Sequence, residues 1–223
     1  MWRTIIAVAY AQFLMNHADM FPDWQPRVRS IFKWVYDTLG NHGWDKYGVT
    51  VINEQTHFQL PGNSHSARQA CAELQYVHMT GDSTYYDSAV RKLNWATYMV
   101  NEKGWNTYYG EIWISDGYGD YVRHYLRAMD YCPELAPANE PHILCSHNPG
   151  LYRVCYKEDG LSYRSRYNRG KETVRLPEAP SAVEGVKTED ADTLLEWKYD
   201  PLASGGGLLT IIRQDASRVL VKY

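Results

Sequence analysis

Phenylalanine is scarce in this chain, with 4 residues against 19 tyrosines and 8 tryptophans. Nearly all the aromatic surface therefore carries a polar edge beside a flat apolar face. Such an excess suits stacking on sugar rings, and it equally suits an aromatic-rich core. An excess of charge of one sign is also missing. The 23 Lys and Arg against 26 Asp and Glu leave a formal net charge of −3, which points away from nucleic acid and from an anionic membrane as partners. No apolar run approaches the roughly 20 residues of a membrane span. The stretch "MWRTIIAVAYAQ" imitates a leader, with one basic residue and Ala9-Tyr10-Ala11, but its apolar run is shorter than a usual leader core. Ile5, Ile6, Ala9, Tyr10 and Phe13 recur at helical spacing instead, so a core helix is expected and the compartment stays open.

Cysteine is sparse as well. Cys71, Cys132, Cys145 and Cys155 form no CxxC pair, which argues against a zinc ribbon or a redox motif. Free thiols are the expectation, with Cys145 and Cys155 as the one pair suited to a bridge in an oxidising compartment. No HExxH is present, and Glu54, His57 and His65 lack ligand spacing, so neither a metal nor a cofactor is expected. The glycines after Ser204 precede no Lys-Ser/Thr and read as a turn, not a phosphate loop.

The pattern that is present changes character near residue 145. Residues 1–144 read as helical and 145–223 as an antiparallel β module, an α+β chain. A first helix is expected over Arg3 to His17. Asp23 would cap a second helix ending at Gly40, with Ile31, Trp34, Val35 and Thr38 buried. Ser64 would cap a third helix with Ala67, Ala70, Cys71, Leu74 and Val77 inward. Ser83 would cap a fourth with Tyr86, Ala89, Val90, Leu93, Ala96, Tyr98 and Val100 inward. Asp116 would cap a fifth helix running to Tyr131. Six β-rich runs follow, "LYRVCY", "LSYRSRY", "ETVRL", "TLLEWKY", "GLLTIIR" and "RVLVKY", with "EDG" and "NRGK" read as hairpin turns between the first three.

Helices in pairs, joined alternately by short turns and long loops, resemble the six-hairpin glycosidase-like group, the (α/α) toroids. The segment "TGDSTYYDSAVRKLNWATYMV" looks like one of their outer helices. The resemblance implies helical hairpins of an (α/α) toroid followed by a small antiparallel β-sheet or sandwich, as in glycoside hydrolases and polysaccharide lyases of this architecture. A full toroid has about twice the helices read here, so the resemblance also implies a C-terminal part, with the missing remainder of the toroid as a partner.

The resemblance places the long loops and inner-helix starts at the cleft. A glycosidase needs two carboxyl groups flanking the bond. Asp116 and Asp120 are an i,i+4 pair, roughly 5–6 Å apart at Cβ on a helix. A helix N-terminus favours ionised carboxylates, which suits a base or nucleophile. Glu111, among Trp105, Tyr109 and Trp113, or Glu54 would supply the acid. Trp113 and Tyr118 are available for stacking. The alternative is a polysaccharide lyase or other uronate-handling enzyme, in which Asn63, His65 and Arg68 serve the carboxylate and a Tyr or His is the base. His124 lies one turn after Asp120 and would pair with it. Beside these readings stand simple caps for Asp116 and Asn63, an ion-pair partner for Arg68, and a non-catalytic fragment or interaction module.

Overall fold

A computed structural model of the chain describes residues 4–57, 59–98, 101–103, 107–108, 111–112, 116–147, 150–186 and 195–223, with the backbone alone described at 4–5, 107–108, 111–112 and 116–118. The chain is α+β and divides into two units, Met1–Tyr131 and Cys132–Tyr223.

In the first unit, α1 (Thr4–Asn16) packs on α2 (Trp24–Leu39). The buried stripe of α2 is Trp24, Val28, Phe32, Val35 and Leu39, one position away from the expected one. Those side chains meet Val8, Ala11, Leu14 and Met15 of α1 and Tyr76 further along the chain, whereas Ile31 and Trp34 only flank that cluster. Phe32 at the centre offers more apolar area than Thr38 at the edge, and burial of area decides the face. Asp23 precedes α2 but makes no capping bond, because its φ of −100° and ψ of 21° lie outside the extended region a cap requires. Its carboxylate accepts from Arg27 Nε at 2.8 Å instead.

The expected irregular stretch is stitched down. β1 (Gly40–Asn41) pairs antiparallel with β2 (Val51–Ile52), and Asn53 bridges to Pro61. Next comes α3 (Asn63–Thr80), capped by Gly62 and not by Ser64. It is the central helix, buried at every residue from Gln69 to Tyr76. Helices α1, α4 and α5 all pack on it. Ser83 does not cap either: Asp82 caps a short 3-10 turn through Thr84 N at 3.0 Å, and α4 (Tyr86–Tyr98) follows. The inward residues of α4 are Ala89, Lys92, Leu93, Trp95 and Ala96, while Tyr98, expected inward, is 79% exposed. Val100 lies outside the described residues. A two-stranded ribbon, β3 (Thr107–Tyr108) with β4 (Glu111–Ile112), precedes α5 (Asp116–Tyr131).

The second unit is a sandwich. Its strands are β5 (His142–Ser146), β6 (Leu151–Lys157), β7 (Gly160–Ser165), β8 (Gly170–Leu176), β9 (Ala182–Val186), β10 (Leu195–Pro201), β11 (Gly207–Arg213) and β12 (Arg218–Lys222). They form two antiparallel four-stranded sheets, ordered β10-β11-β8-β5 and β6-β7-β12-β9. "EDG" closes the β6–β7 hairpin, but "NRGK" carries the chain from one sheet to the other and is no hairpin turn. The inner strands supply one core of Leu161, Tyr163, Val174, Leu176, Leu209, Ile211, Val219 and Val221. At one end of that core Arg213 grips Glu172 with both Nε and Nη2 at 2.9 Å, and Tyr163 donates to the same carboxylate at 2.9 Å. No disulfide joins the four cysteines; Cys71 and Cys132 are buried and Cys155 is exposed.

Candidate functional site

Two helix segments converge in the first unit. On α5, Asp120, Arg123, His124 and Arg127 stand at i, i+3, i+4 and i+7, so they share one face. On α3, His65 and Arg68 are one turn apart, and α3 packs along α5. Arg68 Nη2 lies 3.7 Å from Asp120 Oδ2, and His124 Nε2 lies 3.5 Å from the same oxygen. Arg123 pairs with Asp120 Oδ1. Asp120 is thus held between two guanidinium groups and an imidazole.

The start of α3 is fixed from below. Ser66 Oγ accepts from Ile52 N at 3.0 Å, tying the first turn to β2. Asn63 is 1% exposed, and its Oδ1 accepts from Ser64 N at 2.9 Å. Gly62 carries no Cβ because one built there would strike the His65 ring, so the glycine lets that ring lie back on the backbone.

Both histidines are held neutral. Burial pulls the His65 pKa down to about 4, and Arg68 adds to this while Asp120 opposes it. Burial likewise lowers His124 to about 4, with Arg68, Arg123 and Arg127 repelling a proton and Asp120 attracting one. Burial also draws Arg68 below the ordinary arginine value, against the pull of Asp120. Several buried polar atoms here have no hydrogen-bond partner: His65 Nε2, Arg68 Nε, and both ring nitrogens of His124, whose approach to Asp120 lacks hydrogen-bond alignment. Buried polar atoms without partners are uncommon and costly. The cluster therefore places unprotonated imidazole nitrogens beside fixed cations, with those nitrogens closed off from solvent and the His124 side chain 0% exposed.

The remaining sequence candidates are placed as follows. Glu54 is half-buried in the loop after β2, where its N–H donates to Leu60 O at 2.9 Å. Glu111 sits on β4, Asp116 opens α5 and Tyr118 lies in its first turn, with their side chains outside the described residues. Trp105, Tyr109 and Trp113 lie outside the described residues altogether. Among the described residues no group of three His, Cys, Asp or Glu side chains could hold a metal ion. Arg123 and Arg127 were not among the sequence candidates, although their spacing from Asp120 was there to be read. Comparison with protein-family models, with curated proteins and with solved structures finds no match to this chain.

Proposed function

We propose that the chain is a carbohydrate-active enzyme built from hairpins of an (α/α) toroid, and that it handles acidic sugars by β-elimination. The observation that carries this reading is the pairing of neutral, partnerless imidazoles with Arg68 across α3 and α5. Elimination requires that a cation neutralise the uronate carboxylate and that a base remove the proton on the carbon α to it. The electron pair then forms the carbon–carbon double bond as the β-carbon–oxygen bond breaks, and the departing oxygen takes a proton. Arg68 suits the first task. His65 or His124 suits the second once the cluster opens to substrate, since the Nε2 atoms of both are buried in this structure, and Asp120 orients Arg68 and Arg123.

The glycoside-hydrolase reading needs a second carboxylate facing Asp120. Of its other candidates, Glu54 sits in the loop after β2, and the side chains of Asp116 and Glu111 lie outside the described residues, while Asp120 is paired with Arg68 and Arg123. The wider reading, that the remainder of a toroid is a partner, draws support from α1, whose Ile6, Tyr10 and Phe13 are 68%, 48% and 45% exposed while Val8 and Leu14 are buried.

Steady-state kinetics of the full chain on uronate polysaccharides test the proposal. Arg68→Gln should raise KM for acidic substrates, and His124→Gln should lower kcat, by roughly 10²–10⁴-fold if it is the base. Unchanged kinetics in both variants would sink the assignment.

A further inference from the structure

The second unit carries a cleft of its own. Its volume is about 360 Å³, at the small end of the range of about 300–1,000 Å³ for ligand sites. It is lined by Tyr152, Arg164, Arg166, Asn168, Val186 and Arg218. The pairing registers explain why these residues meet. Tyr152 pairs with Arg164, Arg164 with Arg218, and Arg218 with Val186, so a single row crosses all four strands of the sheet. Arg164 and Arg218 are direct cross-strand neighbours, with Cβ atoms roughly 4.5–5.5 Å apart, an arrangement that is destabilising for like charges. Arg166 follows β7, and its N–H donates to Gly150 O at 3.0 Å, which brings it to the same end of the sheet.

Among the described residues none of the three arginine side chains has an ion-pair or hydrogen-bond partner. Asn168, which also lines the cleft, donates its Nδ2 to Asp215 at 3.0 Å. Three guanidinium forks in one cleft match the planar oxygens of a carboxylate or the oxygens of a sulfate. Tyr152, 42% exposed at one edge, offers a ring face beside them.

We propose that this cleft binds an acidic saccharide, with Arg164, Arg166 and Arg218 holding the carboxylate of a uronate residue and Tyr152 packing on the sugar ring. The saccharide identity rests on the carbohydrate reading above; the anion site itself does not. It lies on a strand row of the second unit.

Titration calorimetry on the full chain at low salt tests it, using an oligomer of galacturonic acid, a neutral galactose oligomer of the same length, and a thymidine oligonucleotide of the same charge. The acidic oligomer should bind and the neutral one should not. Arg164→Gln with Arg218→Gln should weaken binding about tenfold or more, as loss of charge-assisted bonds requires. That double variant should melt no lower than the parent, because it relieves a like-charge pair. Arg68→Gln runs in parallel. If it abolishes binding while the double variant binds as the parent does, the cleft proposal is wrong and the catalytic reading stands. Tighter binding of the oligonucleotide than of the acidic saccharide, or no binding of the acidic oligomer at all, would also overturn it.

Discussion

At the residue scale Asp120 and the histidines around it form the centre of the α3–α5 cluster. A carboxylate free at a helix start contributes about 0.3–1 kcal/mol. Asp120 is not such a residue, since it faces Arg68, Arg123 and His124 with its side chain 28% exposed. Asp120→Asn leaves two guanidinium groups without their counter-charge, and hydrogen bonds to charged groups are worth about 1.5–3 kcal/mol. The expected loss in urea denaturation lies toward the lower part of that range, with the fold retained. The histidines set the pH dependence. Both are depressed from 6.5 to about 4 in the folded chain, so below pH 6.5 the unfolded state binds more protons than the folded one. Their contribution to stability is present above about pH 6.5 and is lost as pH falls toward about 4. Denaturation midpoints measured at pH 7 and pH 5 should therefore fall on acidification, and fall less in His124→Gln than in the parent.

At the scale of elements, a buried polar network joins three helices. Lys92 of α4 and Glu73 of α3 are both 0% exposed, with Nζ 2.8 Å from Oε2. Tyr36 of α2 donates to Glu73 Oε1 at 2.6 Å, and Gln69 Nε2 donates to the same oxygen at 2.8 Å. Burial lowers the Lys92 pKa, and Glu73 opposes the shift. Glu73→Ala strands that ammonium in the interior and should cost about 3–5 kcal/mol in thermal or urea unfolding. Glu73→Leu with Lys92→Met should recover most of the loss, because removing both charges removes the desolvation cost as well.

Lys92 also shows where the sequence stops being readable. Apolar periodicity and cap signals located each helix in its right place, and α5 ends at Tyr131 as expected. Periodicity ranks lysine as a surface residue, so neither the Lys92–Glu73 pair nor the polar interior of α3 shows in the pattern. The caps misread at Asp23, Ser64 and Ser83 have a related cause. Gly62 and Asp82 take the positions read for Ser64 and Ser83, while Asp23 holds the cap position of α2 with a backbone geometry that makes no capping bond. In the β unit the six marked strands are present, but β5 and β9 are short and half-exposed with weak alternation, and two-sheet pairing is a long-range fact that no local turn signal carries. For the site, the Asp120–His124 spacing was legible within one helix. The meeting of α3 with α5 was not, because it depends on packing between segments some fifty residues apart.

At the scale of the molecule, each unit has its own core, and no described helix is long and apolar enough to cross a membrane. The sandwich closes its core between two sheets and locks one end with the Arg213–Glu172 pair, which is 0% exposed on both sides. Residues 132–223 produced alone should therefore unfold in one cooperative transition by near-ultraviolet circular dichroism. On the helical unit the open face of α1 should drive self-association. Ile6→Lys with Phe13→Lys should abolish concentration-dependent sedimentation while shifting stability by no more than about 0.5 kcal/mol per substitution, as at ordinary surface positions.

The central claim is that the imidazole and arginine cluster removes a proton α to a carboxylate. Its most direct test is to incubate the full chain with uronate polysaccharides and follow ultraviolet absorbance together with new reducing ends. Elimination predicts that absorbance from the unsaturated, carboxylate-conjugated sugar rises in step with the reducing ends, and that His124→Gln loses both. Reducing ends that appear with no rise in absorbance would mean hydrolysis, and would contradict the account.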